Sequence, residues 1–231
     1  MAVASDQRLV AESVAAALRD RSFDTVVVRW PEPDSFATGE RRPSRRGRRR
    51  SAPSPDAGLV LTDLSRMEQV RAARILVGSL DVPWLVLTHA SRGPAWGAMY
   101  ERGATLVLPD STGLDATGEL VADLARGWLP DLSRRERRQL VHAWHRFESD
   151  RSEMEARLQK LSDREEEVLQ QLHDGVAVRA IAEQSEVAET TVRSQVKSIL
   201  RKLEVSSQMA AVLAYDEIVT DSIDPDLHRV S

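Results

Sequence analysis

The chain contains no cysteine. Disulfide bonds, thiolate metal sites and cysteine nucleophiles are therefore excluded. No segment approaches the roughly 20 consecutive apolar residues that a transmembrane helix needs. The opening stretch "MAVASDQRLVAESV" lacks the basic and apolar regions of a secretory signal peptide. We expect a cytoplasmic protein that does not contact a membrane and, at 231 residues, one with two modest domains.

Lysine is also scarce, since only three of the 32 basic residues are lysines, and the first 159 residues contain none. The net charge of −4 does not by itself predict a nucleic-acid partner. Residues 37–55, however, hold seven arginines against one glutamate, so this stretch carries +6 and the remainder sums to −10. Its proline, glycine and serine content predicts a disordered basic loop centred on residues 41–50. The loop is either a solvated insertion or a tether for a phosphate backbone.

The first part of the chain alternates strand-like and helix-like segments. Apolar strand patterns occur at "MAVAS", "DTVVVRW", "GLVLTDL", "VPWLVLTH" and "ATLVLPD", and helical patterns separate most of them. This alternation predicts an α/β domain over residues 1–128, with a doubly wound, five-stranded parallel sheet. One covering helix is replaced by the basic loop, which stands between the second and third strands.

Residues 129–160 form one long, highly charged helical pattern that we interpret as a linker. A seam with the spacing 4-3-4-3-4-3 runs along it and into the next segment: Leu140, Trp144, Phe147, Arg151, Met154, Leu158 and Leu161. A heptad seam of this length predicts either a dimerisation coil or packing against the first domain. His142 and His145 share a face, but no further ligand is nearby, so we predict no metal site.

Residues 161–231 have an all-helical pattern. Ser162 and Glu165 have the spacing of a capping box at the start of the first helix, and Gly175 is placed to end it. Further on, "ETTVRSQVKSILRKL" (189–203) is apolar on about one third of a helical wheel. A short helix and a turn precede it, which is typical of a helix-turn-helix recognition helix.

A basic stripe lies beside that apolar face. At 100° per residue, Arg193, Lys197 and Arg201 fall within about 80° of one another, and Ser194 follows at about 100°. An ordinary amphipathic helix with a solvated basic face would show the same charges. The pattern alone therefore leaves the two interpretations open.

The stretch "LSDREEEVLQQLHDGVAVRAIAEQSEVAETTVRSQVKSILRKLEVSSQMAAVLA" resembles the LuxR-type DNA-binding domain over its full length. The resemblance implies double-stranded DNA as partner, with the recognition helix in the major groove. The residues that it implies as DNA contacts are Thr191, Arg193, Ser194, Gln195, Lys197, Arg201 and Lys202. Two departures are Ala177 and Ala188, which stand where small polar caps usually begin the two helices, and Ser185 stands where a leucine usually packs.

With that domain behind it, the α/β part resembles the receiver of a NarL/FixJ-class response regulator. In a receiver two acids hold magnesium, a third acid accepts a phosphoryl group, and a threonine and a lysine respond to that group. The resemblance places Ser5 and Asp6 at the acid pair, Asp63 at the acceptor, Thr88 at the threonine and Asp110 at the lysine position. One acid and the lysine are therefore lost.

The lost lysine argues against phosphorylation. Replacing a lysine by an aspartate changes the local charge by two units, so a phosphoryl dianion would face an uncompensated acid. Arg92, in the loop after the fourth strand, is the one candidate for partial compensation. We expect a degenerate, phosphorylation-independent receiver; the alternative is a conventional receiver that is activated at Asp63.

The function we expect is a sequence-specific DNA-binding transcriptional regulator that acts as a homodimer. The alternative is an interaction module that forms a heterodimer with a related LuxR-type regulator and modulates it. The sequence shows no phosphate loop, nucleophile–histidine pair or metal-ligand cluster. We therefore expect neither an enzyme nor a bound cofactor.

Overall fold

The computed structural model describes residues 1–31, 55–128 and 133–223. The chain divides into two compact units, Met1–His145 and Arg146–Ser231. This division falls inside a long helix, so the segment that we predicted as a separate linker (129–160) contributes to both units. The predicted disordered loop at 37–55 lies outside the described residues, apart from Pro55.

The first unit is built on a parallel sheet of five strands. Their bounds are β1 (Ala2–Ser5), β2 (Val26–Val27), β3 (Gly58–Leu61), β4 (Trp84–Thr88) and β5 (Leu106–Pro109). The order across the sheet is β2-β1-β3-β4-β5. The predicted fold class is confirmed, and the order is that of a flavodoxin-like doubly wound sheet. In such sheets the carboxyl ends of the strands form the ligand-binding edge.

Four helices of this unit follow strands of the sheet: α1 (Arg8–Arg19), α2 (Met67–Val77), α3 (Pro94–Arg102) and α4 (Leu114–Ala125). Buried apolar residues from the sheet, α1 and α4 form one core that includes Val3, Leu18, Leu59, Leu85 and Leu124. Among the described residues no helix lies between β2 and β3. That observation agrees with the predicted loss of one covering helix.

A fifth helix, α5 (Arg134–Leu158), is long but strongly charged. In the described parts of the chain, no helix combines the length and the apolar character that crossing a membrane requires. The first half of α5 packs on α3, where a Cβ on Gly97 would lie 2.0 Å from the carbonyl oxygen of Leu140. Trp144 is fully buried, and the Arg74 guanidinium lies 5.3 Å from its ring centroid. The start of the predicted heptad seam is therefore used inside the first unit.

The second unit is helical, as predicted. It contains α6 (Asp163–His173), α7 (Val178–Gln184), α8 (Glu189–Leu203) and α9 (Gln208–Val219). Their buried core residues are Val168, Leu169, Leu172, Ile181, Ala182, Val192, Ile199, Leu203 and Ala211. Met154, Leu158 and Leu161 pack against the same core.

Arg151, the charged interruption of the seam, is buried at the carboxyl end of α9. Its guanidinium donates to the main-chain oxygens of Glu217 and Ser222 and to the carboxylates of Asp221, at 2.7 Å, and Glu155, at 3.0 Å. The later part of the seam is therefore used inside the second unit. Within the described residues, Trp144, Arg151 and Met154 of the seam contact other parts of the same chain. A dimerisation coil along α5 stays a prediction.

Candidate nucleic-acid interface and sheet-edge pocket

The predicted receiver residues lie together at the carboxyl edge of the sheet. The parallel register aligns the ends of β1, β3 and β4. An open pocket of about 380 Å³ lies at this edge, and Ser5, Asp6, Asp63 and Asp110 are among its lining residues. Thr88 is buried next to it and does not line it. The structure therefore brings four of the five predicted pocket residues together.

Asp6 is held in place by hydrogen bonds. Its Oδ1 accepts from the Ser5 hydroxyl at 3.2 Å, and its Oδ2 accepts from the Thr62 hydroxyl at 3.3 Å and from the Gln69 amide at 2.8 Å. The other end of the Gln69 amide accepts from the main-chain N–H of Ser65 at 3.1 Å. Gln69 thus ties the remaining acid of the predicted pair to the first turn of α2. Neither Thr62 nor Gln69 was anticipated, because only their neighbours across the sheet edge give them this role.

Asp63 is exposed, and its Oδ2 accepts a hydrogen bond from the Ser65 hydroxyl at 2.6 Å. The Thr88 hydroxyl donates to the main-chain oxygen of Asp63, also at 2.6 Å. The main-chain N–H of Ala90 donates to the same oxygen at 3.1 Å. Thr88 therefore braces the backbone of the acceptor position.

The position of the missing lysine is occupied by an acid–histidine pair. Asp110 Oδ2 lies 3.1 Å from His89 Nδ1. The hydrogen bond to Asp110 and the charges of Asp110 and Asp63 raise the pKa of His89 above its usual value. Sequence reasoning missed His89, although it directly follows Thr88 at the end of β4. Arg92 does not compensate for the missing lysine, because its Nη2 pairs with Glu136 of α5 at 3.1 Å.

The pocket as a whole is acidic. Three carboxylates line it, and His89 is the one basic side chain among its lining residues. Within residues 1–31, 55–128 and 133–223, no group of three or more histidine, cysteine, aspartate or glutamate side chains is arranged to hold a metal ion. A dianionic phosphoryl group on Asp63 would meet electrostatic repulsion here.

The candidate nucleic-acid interface is the exposed face of α8. Val192, Ile199 and Leu203 are buried on the opposite face and anchor the helix in the second unit. The side chains on the solvent face are Thr191, Arg193, Ser194, Lys197 and Arg201. These five predicted contacts therefore share one exposed surface.

The cations of this surface differ in their surroundings. Arg193 donates from Nε, at 3.0 Å, and from Nη2, at 2.6 Å, to the same Oε1 of Glu189. In the part of the chain that the structure describes, Lys197 and Arg201 have no hydrogen-bond or ion-pair partner. Two cations are thus available for anions, and a third is held by an acid one turn earlier.

Lys202 has a structural role and does not belong to the exposed surface. Its Nζ donates to Glu165 Oε2 at 2.5 Å and to the main-chain oxygen of Lys160 at 2.9 Å. The phosphate contact predicted for Lys202 would require its ammonium group to leave these two partners. Physically, Lys202 projects about 180° away from Arg193, toward the amino end of α6.

Glu165, the partner of Lys202, completes the predicted capping box. Its Oε2 accepts from the main-chain N–H of Ser162 at 2.8 Å, and its own N–H donates to the Ser162 hydroxyl at 3.4 Å. Burial by itself would raise the pKa of Glu165. Hydrogen bonds from Lys202, Ser162 and Ser198 outweigh that effect and lower the pKa to about 2.

Gln195 is also turned away from solvent. Its side chain is half-buried, and its Oε1 is buried without a hydrogen-bond partner among the residues that the structure describes. The base or phosphate contact predicted for Gln195 would require this carboxamide to rotate outward.

The two missing helix caps are confirmed, because neither Ala177 nor Ala188 provides a side-chain hydrogen bond, whereas Ser162 does.

Comparison with known proteins identifies the second unit. Residues 159–215 match the family described as GerE, bacterial regulatory proteins, luxR family. A curated relative, the nitrate/nitrite response regulator protein homolog of Haemophilus influenzae, is 40% identical over 60 residues. That match covers 26% of this chain and 29% of the relative. The helical unit therefore carries a LuxR-family domain, as the sequence predicted.

Several solved structures are similar over more of the chain but at low identity. Response regulator StyR is 22% identical, with 94% of this chain and 98% of that chain covered and a TM-score of 0.35. Response regulator ChrA of a heme-sensing two-component system is also 22% identical, with 94% and 95% covered and a TM-score of 0.38. RcsB of Salmonella typhimurium is 19% identical, with 91% and 94% covered and a TM-score of 0.37.

Proposed function

We propose that this protein is a cytoplasmic, sequence-specific regulator of transcription that binds double-stranded DNA. The observation that carries the proposal is the exposed face of α8, where Arg193, Ser194, Lys197 and Arg201 stand opposite a buried apolar anchor. The family match over residues 159–215 supports it, because that family consists of bacterial regulatory proteins. No enzymatic step is part of this function.

The chemistry of the stripe fits a major groove. A guanidinium can donate two parallel hydrogen bonds to O6 and N7 of guanine, which makes Arg193 the candidate for base recognition. Lys197 and Arg201 are free to neutralise phosphates, which strengthens binding to every sequence alike. Ser194 is short enough to let the helix approach the base edges and can donate or accept one hydrogen bond.

We further propose that the protein acts without phosphorylation at Asp63. The support is the acidic pocket, in which Asp110 takes the place of a lysine and Thr88 bonds to the backbone of Asp63. The conventional alternative keeps one point in its favour, since Asp63 itself is present and exposed. The curated relative is named a response regulator, and its match covers 26% of this chain.

A homodimer is the assembly we propose. Trp144, Arg151 and Met154 of the α5 seam already contact the same chain, so we place the contact between copies elsewhere. Met209 and Leu213 of α9 are 67% and 47% exposed and stand one turn apart, which supports an apolar contact between copies. A heterodimer with a related LuxR-type regulator would use the same exposed pair. Sedimentation equilibrium of the purified chain distinguishes them, because only the homodimer gives twice the chain mass without a partner.

The test of DNA binding uses the full-length chain and a library of duplexes with a randomised central segment. We expect repeated selection to enrich one sequence or a pair of related half-sites. A gel shift at two salt concentrations then measures the affinity for that operator and for a scrambled duplex. An enriched operator bound at least about 100-fold more tightly than the scrambled duplex supports the proposal, since specific sites typically exceed non-specific ones by more. No enrichment, with equal binding of both duplexes, contradicts it and favours the interaction module.

A further inference from the structure

The acid at the start of α8 contacts the cation that we propose to read a base. Glu189 is the first residue of α8, its side chain is 41% exposed, and Arg193 is its partner in a side-chain ion pair. The pair is an ordinary i,i+4 contact by spacing, and exposed pairs of this kind contribute little to stability. Its geometry toward Arg193, in contrast, is specific.

A guanidinium has five N–H donors in a rigid planar fork. Glu189 Oε1 accepts from Nε at 3.0 Å and from Nη2 at 2.6 Å, so it occupies the side edge of the Arg193 fork. The end edge, formed by Nη1 and the second hydrogen of Nη2, has no partner among the residues that the structure describes. That open edge still presents two parallel donors, which is what bidentate recognition of guanine requires.

Holding one edge of the fork also restricts its rotation. A free arginine side chain loses rotamer entropy when it is fixed, and a side chain that is already held loses less on binding. From these contacts we infer that Glu189 is a positioning residue, which orients the guanidinium of Arg193 so that its end edge reads a guanine in the major groove. The inference deepens the proposed DNA-binding function and rests on it.

Glu189 has a second, opposite effect on affinity. Its negative charge lies on the surface that approaches the phosphates, so it weakens binding to all sequences. Removing it therefore strengthens non-specific binding and weakens discrimination. A residue that only stabilises the helix would change neither quantity, provided that the domain stays folded.

The experiment measures the ratio of affinities for the selected operator and for a scrambled duplex. Glu189→Ala is expected to bind the scrambled duplex more tightly than wild type and to lower the ratio by about tenfold, the value of one weakened bidentate contact. Glu189→Gln keeps an oxygen acceptor at the same distance, so it is expected to retain most of the ratio. Thermal unfolding verifies that each variant is folded at the assay temperature.

The matched control is Glu183→Ala. Glu183 pairs with Arg179 on α7 at 3.0 Å, also with i,i+4 spacing, and both side chains are exposed. This substitution removes the same charge and the same kind of ion pair from the same unit, but from α7 and not from α8. We expect it to leave the ratio within about twofold of wild type, as an exposed pair implies.

A double-mutant comparison completes the test. In an Arg193→Ala background, Glu189→Ala is expected to leave the ratio unchanged, because the residue that it orients is gone. An unchanged ratio in Glu189→Ala alone, an equal fall in Glu183→Ala, or a further fall in the Arg193→Ala background would each overturn the inference. A wild-type ratio near one overturns the DNA-binding function itself, and the inference with it.

Discussion

The sheet edge of the first unit and the exposed face of α8 differ in whether their charged side chains have partners. At the edge of the sheet, Asp6, Asp63 and Asp110 each have a partner within the unit, a hydroxyl, an amide or a histidine. On α8, Lys197 and Arg201 have no partner among the described residues, while the cation that leaves the surface, Lys202, stabilises a helix cap. Charges that bind a ligand are left available to it, and charges that keep a shape are satisfied internally. The two unpaired cations of α8 support the proposal that the helical unit binds DNA.

The largest effect on operator affinity is expected from removing one free cation, Lys197, together with the guanidinium group of Arg193. The double variant Arg193→Ala/Lys197→Ala is expected to lose about 100-fold or more in operator affinity, since each contact of this kind contributes about 1–3 kcal/mol. The single variants separate their roles. Lys197→Ala is expected to weaken binding to all duplexes and to reduce the salt dependence, whereas Arg193→Ala also lowers discrimination between operator and scrambled DNA.

Arg179→Ala is the matched control for these variants. It removes an exposed cation from α7, where Arg179 pairs with Glu183. Its expected effect on affinity is below about threefold, because its charge is already compensated. Equal losses in Arg179→Ala and Lys197→Ala would mean that the unit responds only to net charge, and would remove α8 from the interface.

The next effect is on stability and concerns Lys202. Lys202→Ala leaves the buried carboxylate of Glu165 without its cation, so we expect the free energy of unfolding of the second unit to fall by about 2 kcal/mol. Chemical denaturation measures this change. Arg164→Ala serves as control, because Arg164 pairs with Glu167 on the surface, and its cost is expected within about 0.5 kcal/mol. A large loss of DNA affinity in folded Lys202→Ala would contradict its structural role.

The pH dependence of the same contact has a definite sign. The pKa of Glu165 is lowered from 4.5 to about 2. A lowered carboxylate pKa contributes stability that is fully present above pH 4.5 and is lost as the pH falls toward 2. Denaturation curves between these values are therefore expected to show a decline in wild type that is smaller in Glu165→Gln. Identical slopes in the two proteins would contradict the assignment.

A further prediction concerns the acid and the lysine that the sheet-edge pocket lacks. Wild type incubated with acetyl phosphate and magnesium is expected to keep its mass. The variant Ser5→Asp/Asp110→Lys supplies the second acid and the lysine at the edge where Asp63 is exposed. We expect it to gain the mass of one phosphoryl group, because cations then neutralise the transferred group. Adding Asp63→Asn is expected to abolish the gain. Phosphorylation of wild type at Asp63 would contradict the proposed independence.

The smallest effect concerns His89. Its pKa is raised by the hydrogen bond to Asp110 and by the charges of Asp110 and Asp63. A raised histidine pKa contributes stability that is fully present below the ordinary histidine pKa of about 6.5. This stability is lost as the pH rises through the folded-state pKa. NMR titration of the imidazole is expected to show the raised pKa in wild type and a lower one in Asp110→Asn. Equal values would mean that the pair does not form in solution.

The sequence predicted the architecture and the surface of α8 because both depend on local patterns. Continuous apolar strands between amphipathic helices specify a parallel sheet, and the spacing of Arg193, Lys197 and Arg201 places them on one face whatever α8 packs against. The sequence did not predict contacts between side chains that lie far apart along the chain. Lys202 contacts Glu165, and Gln69 contacts Asp6, across separations that periodicity does not describe.

The seam on α5 shows the same limit more sharply. Its heptad spacing determined that one face of the helix would be buried, which is correct for Trp144, Arg151 and Met154. The spacing does not tell whether a second chain or the same chain covers that face, and the tertiary structure shows contacts of these three residues with the same chain. The physical reason is that the hydrophobic effect is not directional, so an apolar stripe favours burial without specifying which surface covers it. The sequence alone therefore determined which helix faces and strands are apolar, and the folded chain determined what packs against them.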